Sequence, residues 1–339
     1  MMLDRSYTTW LDQIRDRFVS GAQRPEPVAP ALSEPRRLGL ALGGGGGKGA
    51  AHLGVLQVLE ELELPIDLIV GSSAGGAVAL LYAAGLPHSE ILALFRAMSL
   101  RRIAVPDPTR TGLIGQRRRE ELLTRLLGTR TFDDLRIPCA VTAVDLVSGA
   151  VVIIDEGPLV QALLATTALP GIFPPVLRDG MILADGGILN NLPVNLVRER
   201  GAQRVIAVEL NDAVPGFNLM PALADNPLAR LTLAPQQFAV ASRALSLLVN
   251  HTVAMQLREN PPDLLISPQV ADIPTLDMAS PEKGLPAGIT AAQAVADELL
   301  ALRAWRTEEP APAPPPAPEP GWGKFTLPFA LPRWGGPEA

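Results

Sequence analysis

Short apolar runs typical of β-strands alternate with helical patterns through most of this 339-residue chain. The first two runs are LGLAL and IDLIV, and helical patterns follow them to about Leu62 and to about Ala84. Consecutive parallel strands need a long crossover, usually a helix, so this alternation predicts a mostly parallel sheet with helices on both faces. We predict an α/β fold, with further strands at CAVTAVDL, VVIID, MILAD, RVIAVEL and DLLISP and further helices near residues 115–127, 158–168, 193–200, 235–258 and 289–305.

Proline-rich stretches divide the chain into three parts. GAQRPEPVAPALSEPRR precedes the first strand and TEEPAPAPPPAPEPG follows the last helical pattern, and neither shows any periodicity. Such compositions are typical of extended linkers. We predict an N-terminal amphipathic helix with a linker at residues 1–36, a compact domain at 37–306, and a linker with an aromatic tail at 307–339. The apolar residues at both ends predict peripheral contact with a membrane.

Charge and cysteine content exclude several classes of protein. The net charge is −6 and the single cysteine is Cys139, so the chain has no basic footprint for nucleic acid and no internal disulfide. Charged residues interrupt the first twenty positions, so we expect no signal peptide and a cytoplasmic location. The uncharged run at residues 68–86 contains several glycines, which predict a strand, a turn and a helix rather than a membrane span.

Five consecutive glycines at residues 43–47 lie in LGLALGGGGGKGAAHLG, between the first strand and the first helix. Unpaired N–H groups and the helix dipole at such a turn favour a negative charge, either a phosphate or another anion. A P-loop would need a glycine at Leu42 and a serine or threonine at Gly49. A dinucleotide fold would need an acidic residue at the end of the second strand, but Asp67 begins that strand. We therefore expect no bound nucleotide.

The second strand ends in GSSAG, which is the G-x-S-x-G pattern of a nucleophile elbow. Ser73 lies at the centre of the pattern, and Ser72 is interpreted as a turn residue. The flanking glycines, Gly71 and Gly75, permit close backbone approaches and dihedral angles that a side chain would strain. The pattern predicts that Ser73 is an exposed nucleophile.

A nucleophilic serine needs a general base, and the chain offers two kinds of candidate. Its histidines are His52, His88 and His251, of which only His251 lies downstream as an α/β-hydrolase triad requires. His251 falls within a helical pattern, where packing or surface exposure is the simpler interpretation. Asp185 ends the run MILAD before two glycines. An Asp-Gly pair is common in β-turns, whereas a carboxylate at a strand end lies where α/β sheets place active sites, and these residues leave both interpretations open.

Together these segments resemble the patatin-like phospholipase family, particularly its bacterial members. The family has a G-x-G-x-x-G loop, a G-x-S-x-G elbow and a D-G-G or D-G-A motif, which match Gly44–Gly49, Gly71–Gly75 and Asp185–Gly187 in order and spacing. Intervening stretches such as FDDLRIPCAVTAVDLVSG and ALPGIFPPV are also similar. The resemblance covers roughly residues 37–305 and implies a three-layer α/β/α fold with a nucleophile elbow.

The resemblance also implies a Ser73–Asp185 dyad that works without histidine. The implied donors to the oxyanion are the backbone N–H groups of Gly44, Gly45, Gly46 and Gly47. The implied supporting positions of the motifs are Lys48, Gly49, Gly71, Gly75, Gly186 and Gly187. The chain departs from the family at Thr167, where serine is common, and at Gly47, where many members have alanine.

The implied reaction is hydrolysis of acyl esters of phospholipids, lysophospholipids or other glycerolipids, with no metal or other cofactor required. The alternative is a non-catalytic lipid-binding or regulatory protein that keeps the fold. Three intact motifs favour the enzyme.

Overall fold

The computed structural model describes residues 36–210, 235–275 and 281–308. The predicted N-terminal helix, the aromatic tail and the membrane contact predicted for them lie outside these residues. The division into three parts therefore remains a prediction, while the α/β organisation of the central part can be compared with the structure.

The described ranges form one sheet of eight strands. The strands are β1 (Leu38–Leu42), β2 (Leu68–Ser72), β3 (Cys139–Asp145), β4 (Val151–Ile154), β5 (Val176–Arg178), β6 (Met181–Asp185), β7 (Arg204–Val208) and β8 (Leu264–Ile266). Strands β3, β2, β1, β7 and β8 are parallel neighbours in that order. Strands β4 and β6 are antiparallel to β3, and β5 is antiparallel to β6. The predicted mostly parallel α/β sheet is confirmed.

Strands β2 and β6 both pair with β3, and these pairings set their relative position. It pairs with β2 up to Thr142, with β6 from Ala143 onward, and with β4 across both of those regions. Because β4 overlaps both of the other pairings, β4 must lie along one edge of β3 and both β2 and β6 along the other. Strands β2 and β6 run in opposite directions on that edge, so their carboxyl ends face each other.

Helices cover both faces of the sheet. They are α1 (Ala50–Glu61), α2 (Ser73–Ala83), α3 (His88–Ala97), α4 (Leu100–Ile103), α5 (Arg117–Leu127), α6 (Leu159–Thr166), α7 (Val194–Glu199), α8 (Pro235–Glu259), α9 (Pro281–Gln293) and α10 (Ala296–Thr307). The leucines of β1 join one core with α1, α2, α6 and α10, whereas Ala41 joins a second core with α7 and α8. Alternating side chains of a strand point to opposite faces, so the sheet is the middle of three layers.

The uncharged run at 68–86 forms β2, a turn and α2 rather than a membrane span, as its glycines predicted. In the part of the chain that the structure describes, no helix is both long enough and apolar enough to cross a membrane.

The short helix α4 was not predicted, and two other parts of the chain also differ from the sequence prediction. The three-residue strand β5 was not predicted, because so short a run carries little periodicity. The helix predicted near 289–305 is two helices, and the first begins at Pro281 and contains Gly284, Pro286 and Gly288. Glycine and proline disfavour helices in isolation, but a Cβ on Gly288 would lie 1.9 Å from the Ala51 carbonyl oxygen. This close packing on α1 outweighs the low helix propensity.

Candidate active site

The three predicted motifs meet at one end of the sheet. The glycine loop follows β1, Ser73 follows β2, and Asp185 ends β6. Strands β1 and β2 are parallel neighbours, so the loop and Ser73 emerge at the same edge. The facing ends of β2 and β6 bring Asp185 to Ser73.

Ser73 begins α2 in the left-handed region of backbone space, with φ of 51°. Such a conformation is uncommon for a residue other than glycine and persists where packing enforces it. A Cβ on Gly71 would lie 2.5 Å from the Gly75 carbonyl oxygen, and one on Gly75 would lie 2.3 Å from the Leu42 carbonyl oxygen. Both flanking positions therefore exclude larger residues, and the turn holds Ser73 in a strained elbow.

The side chains of Ser73 and Asp185 are in direct contact. The Ser73 hydroxyl donates a hydrogen bond of 2.6 Å to Asp185 Oδ2 across 112 residues of sequence. Asp185 Oδ1 accepts the Gly187 N–H at 2.8 Å, and the Asp185 N–H donates to the Ala168 carbonyl at 3.0 Å. Three hydrogen bonds thus hold Asp185, two through its carboxylate and one through its backbone N–H, and one carboxylate oxygen is directed at the serine hydroxyl. This is the geometry that a general base for a serine nucleophile requires.

The pKa of Asp185 suits such a role. The residue is 3% exposed, and burial raises its pKa to about 6, although hydrogen bonds from Ser73 and Gly187 and the charge of Arg119 act in the opposite direction. A general base is most effective when its pKa is near the operating pH. At neutral pH the group is mostly ionised and is a stronger base than an exposed aspartate.

The glycine loop lies against Ser73, since a Cβ on Gly44 would be 3.0 Å from the Ser73 Cβ. The N–H of Gly44 donates to the Asn191 carbonyl at 3.0 Å, and that of Gly47 donates to the Thr275 carbonyl at 2.7 Å. The N–H groups of Gly45 and Gly46 have no hydrogen-bond partner among the described residues. Of the four predicted oxyanion donors, Gly45 and Gly46 are therefore the two whose N–H groups can donate to an oxyanion in this conformation.

Lys48 and His52 hold the two ends of the loop. The Lys48 ammonium donates to the Leu210 carbonyl at 3.2 Å, just after β7. His52 Nε2 lies 2.7 Å from the Gly43 carbonyl oxygen, and burial lowers the pKa of His52 to about 4 even though the bond to Gly43 acts to raise it. His52 is therefore neutral at physiological pH, and its Nε2–H donates to Gly43. It belongs to the scaffold of the loop rather than to the acid–base pair.

The remaining histidines lie elsewhere. His251 is exposed on α8. His88 begins α3, where it lies 3.5 Å from a Glu60 carboxylate oxygen and tilts against the Tyr82 ring. Neither has a contact with Ser73 or Asp185 in the described structure.

Asn191 was not singled out from the sequence, although it follows the D-G-G motif in GGILNNLP. Its side chain is buried, and its Oδ1 would lie 2.2 Å from a Cβ on Gly44 and 2.5 Å from one on Gly187. Asn191 therefore packs between the glycine loop and the D-G-G turn, and residues with a side chain at either glycine would displace it.

Two further contributors come from the last residue of α6 and from α5. The Thr166 hydroxyl accepts the Ser73 N–H at 3.0 Å. Arg119, at the start of α5, is buried and donates to the Thr167 hydroxyl. The sequence marked Thr167 as a departure from a family pattern. It gave no signal for Arg119, because three consecutive arginines are typical of a solvated helix face. Only burial in the fold distinguishes Arg119 from the two exposed arginines before it.

No group of three or more His, Cys, Asp or Glu side chains within the described ranges is placed to hold a metal ion. Cys139 is partly buried at the start of β3, and burial raises the pKa of its thiol. A thiol with a raised pKa carries little thiolate at neutral pH, so Cys139 is poorly suited to act as a nucleophile.

The chain is similar to several known proteins. The sequence profile of the family described as patatin-like phospholipase matches residues 40–198. An uncharacterized NTE family protein of Mycobacterium bovis is 34% identical over 231 residues, which are 66% of this chain and 64% of the relative. An NTE family protein of Mycobacterium tuberculosis is 32% identical over 278 residues, which are 76% of this chain and 46% of the relative. The chain thus spans less than two thirds of the length of either relative. Among solved structures, VipD from Legionella pneumophila gives a TM-score of 0.49 at 15% identity, covering 78% of this chain and 67% of VipD.

Proposed function

We propose that this protein is a serine lipid acyl hydrolase, because residues 40–198 match the family model described as patatin-like phospholipase. It cleaves carboxylic ester bonds of glycerolipids, with Ser73 as nucleophile and Asp185 as base. The observation that carries this proposal is the 2.6 Å hydrogen bond from the Ser73 hydroxyl to Asp185 Oδ2. That bond joins an elbow serine to a buried carboxylate without an intervening imidazole.

The first half of the reaction transfers the acyl group to the enzyme. As Ser73 Oγ attacks the ester carbonyl carbon, Asp185 accepts the hydroxyl proton. The carbonyl oxygen becomes an oxyanion, which the N–H groups of Gly45 and Gly46 stabilise. When the tetrahedral intermediate collapses, the bond to the alcohol breaks and Asp185 returns the proton to the departing oxygen. The products of this half are an acyl ester of Ser73 and a free alcohol.

The second half repeats these steps with water. Asp185 accepts a proton from a water molecule that attacks the acyl carbon, and the same loop holds the second oxyanion. Collapse breaks the bond to Ser73 Oγ, which regains its proton from Asp185. The fatty acid leaves and the enzyme returns to its starting state.

A carboxylate is a weaker base than an imidazole, so the glycine loop supplies much of the lowering of the barrier. One oxyanion donor is typically worth ~3 kcal/mol in the transition state. The raised pKa of Asp185 makes it a stronger base than an ordinary carboxylate, because a base with a pKa near the operating pH takes up a proton more effectively.

Phospholipids and lysophospholipids are the proposed substrates, and they require an enzyme that meets a lipid surface. Peripheral contact through the terminal segments remains a prediction, as does a cytoplasmic location, because those segments lie outside the described residues.

The test uses the full chain and three variants. Lysophospholipid and short-chain p-nitrophenyl esters are supplied as substrates, and a fluorophosphonate probe reports the reactivity of the serine. We expect Ser73→Ala and Asp185→Asn to lose at least ~10³-fold in kcat/KM, as removal of a nucleophile or its base usually does. Ser72→Ala is the matched control, since the adjacent Ser72 hydroxyl is buried and has no hydrogen-bond partner among the described residues.

Full activity of Ser73→Ala would overturn the mechanism. Absence of both ester hydrolysis and probe labelling in the wild type, together with retained binding of lysophospholipid, would favour a non-catalytic lipid-binding protein instead.

A further inference from the structure

The buried guanidinium of Arg119 contacts the segment that bonds to both residues of the proposed dyad. Arg119 is the third residue of α5 and is only 4% exposed, whereas its neighbours Arg117 and Arg118 are exposed. A cation in the first turn of a helix is opposed by the helix dipole, and burying it adds a desolvation cost. A position that combines both costs needs a compensating role.

The contacts of Arg119 are directed toward the active site. Its Nη2 donates to the Thr167 hydroxyl, and the Thr167 carbonyl oxygen lies 3.5 Å from the same nitrogen. The guanidinium carbon lies 3.8 Å from the centroid of the Phe173 ring, which adds a cation–π contact. Its Nη1 is buried and has no hydrogen-bond partner among the described residues. The side chain is thus held by one threonine and one aromatic ring.

The segment that Arg119 binds orients both members of the dyad. Thr166, before it, accepts the Ser73 N–H at 3.0 Å, and Ala168, after it, accepts the Asp185 N–H at 3.0 Å. Thr167 is the residue between them. A movement of Thr167 would therefore alter the position of the nucleophile and of the base together.

Arg119 is also the charge that acts on Asp185. Burial is the main cause that raises the pKa of Asp185, and the positive charge of Arg119 is among the effects that lower it. Burial lowers the pKa of Arg119 to about 10, which leaves it charged at neutral pH, and the charge of Asp185 acts to raise that value.

Other ionisable side chains on neighbouring elements bond elsewhere. Asp145, on β3, accepts hydrogen bonds from Ser148 and from the Ile182 N–H, and its pKa is lowered to about 2 by them. Arg178, on β5, donates to Asp179 and to the Glu156 carbonyl. Further ionisable groups on these elements include Cys139 on β3, Tyr82 on α2, and Lys48 and His52 after β1.

We propose that Arg119 is a positioning residue of the hydrolytic site, which fixes the Thr166–Ala168 segment beneath the dyad and places a counter-charge beside Asp185. This role rests on the proposed function, because it acts through Asp185 as general base. Its contacts in the described structure are with Thr167 and Phe173 rather than with the Ser73 hydroxyl or the Asp185 carboxylate.

The role predicts two separable effects. Arg119→Met removes both the charge and the bond to Thr167, so we expect kcat/KM to fall about 10–100-fold, as small misplacements of catalytic groups do. Activity should rise with pH as Asp185 loses its proton, and the midpoint of that rise should move upward by about one pH unit without the opposing charge. Arg119→Lys keeps the charge but not the planar contact, so its rate should fall while its midpoint stays near that of the wild type. KM should change little in both.

Arg118→Met is the matched control, because this neighbouring arginine is exposed and donates to the Arg102 carbonyl on the outer surface. Thermal unfolding of all variants measures any loss of stability. A merely structural role for Arg119 would lower the rate of both Arg119 variants without moving the midpoint of either.

A second measurement keeps this inference distinct from the proposed function. The pKa of Asp185 is measured by NMR of protein with ¹³C-labelled aspartate carboxyl groups, with Asp185→Asn used for assignment. A higher pKa of Asp185 in Arg119→Met than in the wild type supports the inference. An unchanged pKa of Asp185 in Arg119→Met overturns the inference. If the wild type is active, an unchanged rate and an unchanged pH midpoint in Arg119→Met also overturn it. Absence of hydrolysis in the wild type with a shifted pKa overturns the proposed function alone.

Discussion

Replacing Asp185 with asparagine is expected to stabilise the protein at neutral pH while it abolishes hydrolysis. The reason is the burial of the carboxylate, which raises its pKa from the ordinary value of 3.8 to about 6. As pH rises from about 4 to about 6, the unfolded chain releases this proton more readily than the folded protein does. The folded state therefore loses stability over that interval.

The size of the loss follows from the two pKa values. Their difference of about 2 units corresponds to about 3 kcal/mol at ~1.4 kcal/mol per unit. Asparagine carries no charge to bury, and its carbonyl oxygen can still accept the Gly187 N–H. We expect Asp185→Asn to match the wild type near pH 4 and to exceed it by about 3 kcal/mol at pH 8, which is roughly 6–12 °C in Tm for a domain of this size.

The assay is denaturant unfolding of both proteins between pH 4 and pH 8. Ser73→Ala is the paired control, because it leaves the buried carboxylate charged and removes a hydrogen bond that it accepts. That variant should lose stability at pH 8, the opposite sign to Asp185→Asn. A constant stability difference between Asp185→Asn and the wild type across the whole pH range would show that Asp185 is not the desolvated carboxylate described above.

Two further perturbations test the scaffold of the site. His52 is neutral in the fold because burial lowers its pKa from 6.5 to about 4, so the wild type should lose about 3 kcal/mol of stability as pH falls through that interval. In urea unfolding, His52→Gln should lack this loss. The same loss of stability at low pH in both proteins would contradict the assignment. Gly75→Ala would place a Cβ 2.3 Å from the Leu42 carbonyl oxygen, so the elbow must shift from the glycine loop and kcat/KM should fall about 100-fold. Wild-type activity and probe labelling in Gly75→Ala would show that the turn tolerates a side chain.

Arrangements that depend on neighbouring residues in the chain were predictable from the sequence. The units β1 with α1 and β2 with α2 follow from apolar runs, glycine turns and helical periodicity, which are local properties. The elbow at Ser73 was predictable for the same reason, because a G-x-S-x-G pattern between a strand and a helix restricts the local backbone. The α9 helix was not, since Gly284, Pro286 and Gly288 form a helix only where α1 packs against them.

The choice of base could not be made from spacing alone. The sequence MILADGG is also compatible with a plain β-turn. In the fold β6 ends against the end of β2, and this arrangement brings Asp185 to Ser73. A resemblance to a known family supplied this pairing as an expectation, and the fold supplies the distance.

Local patterns in the sequence were enough to predict the α/β class, the order of the three motifs and the residue types available for chemistry. Which of these residues have altered chemistry depends on the folded arrangement. Burial raises the pKa of Asp185, lowers that of His52 and distinguishes Arg119 from the two exposed arginines before it. Desolvation and charge interactions depend on which atoms surround a group in space, and for Asp185 and Arg119 these atoms include residues more than forty positions away in the chain.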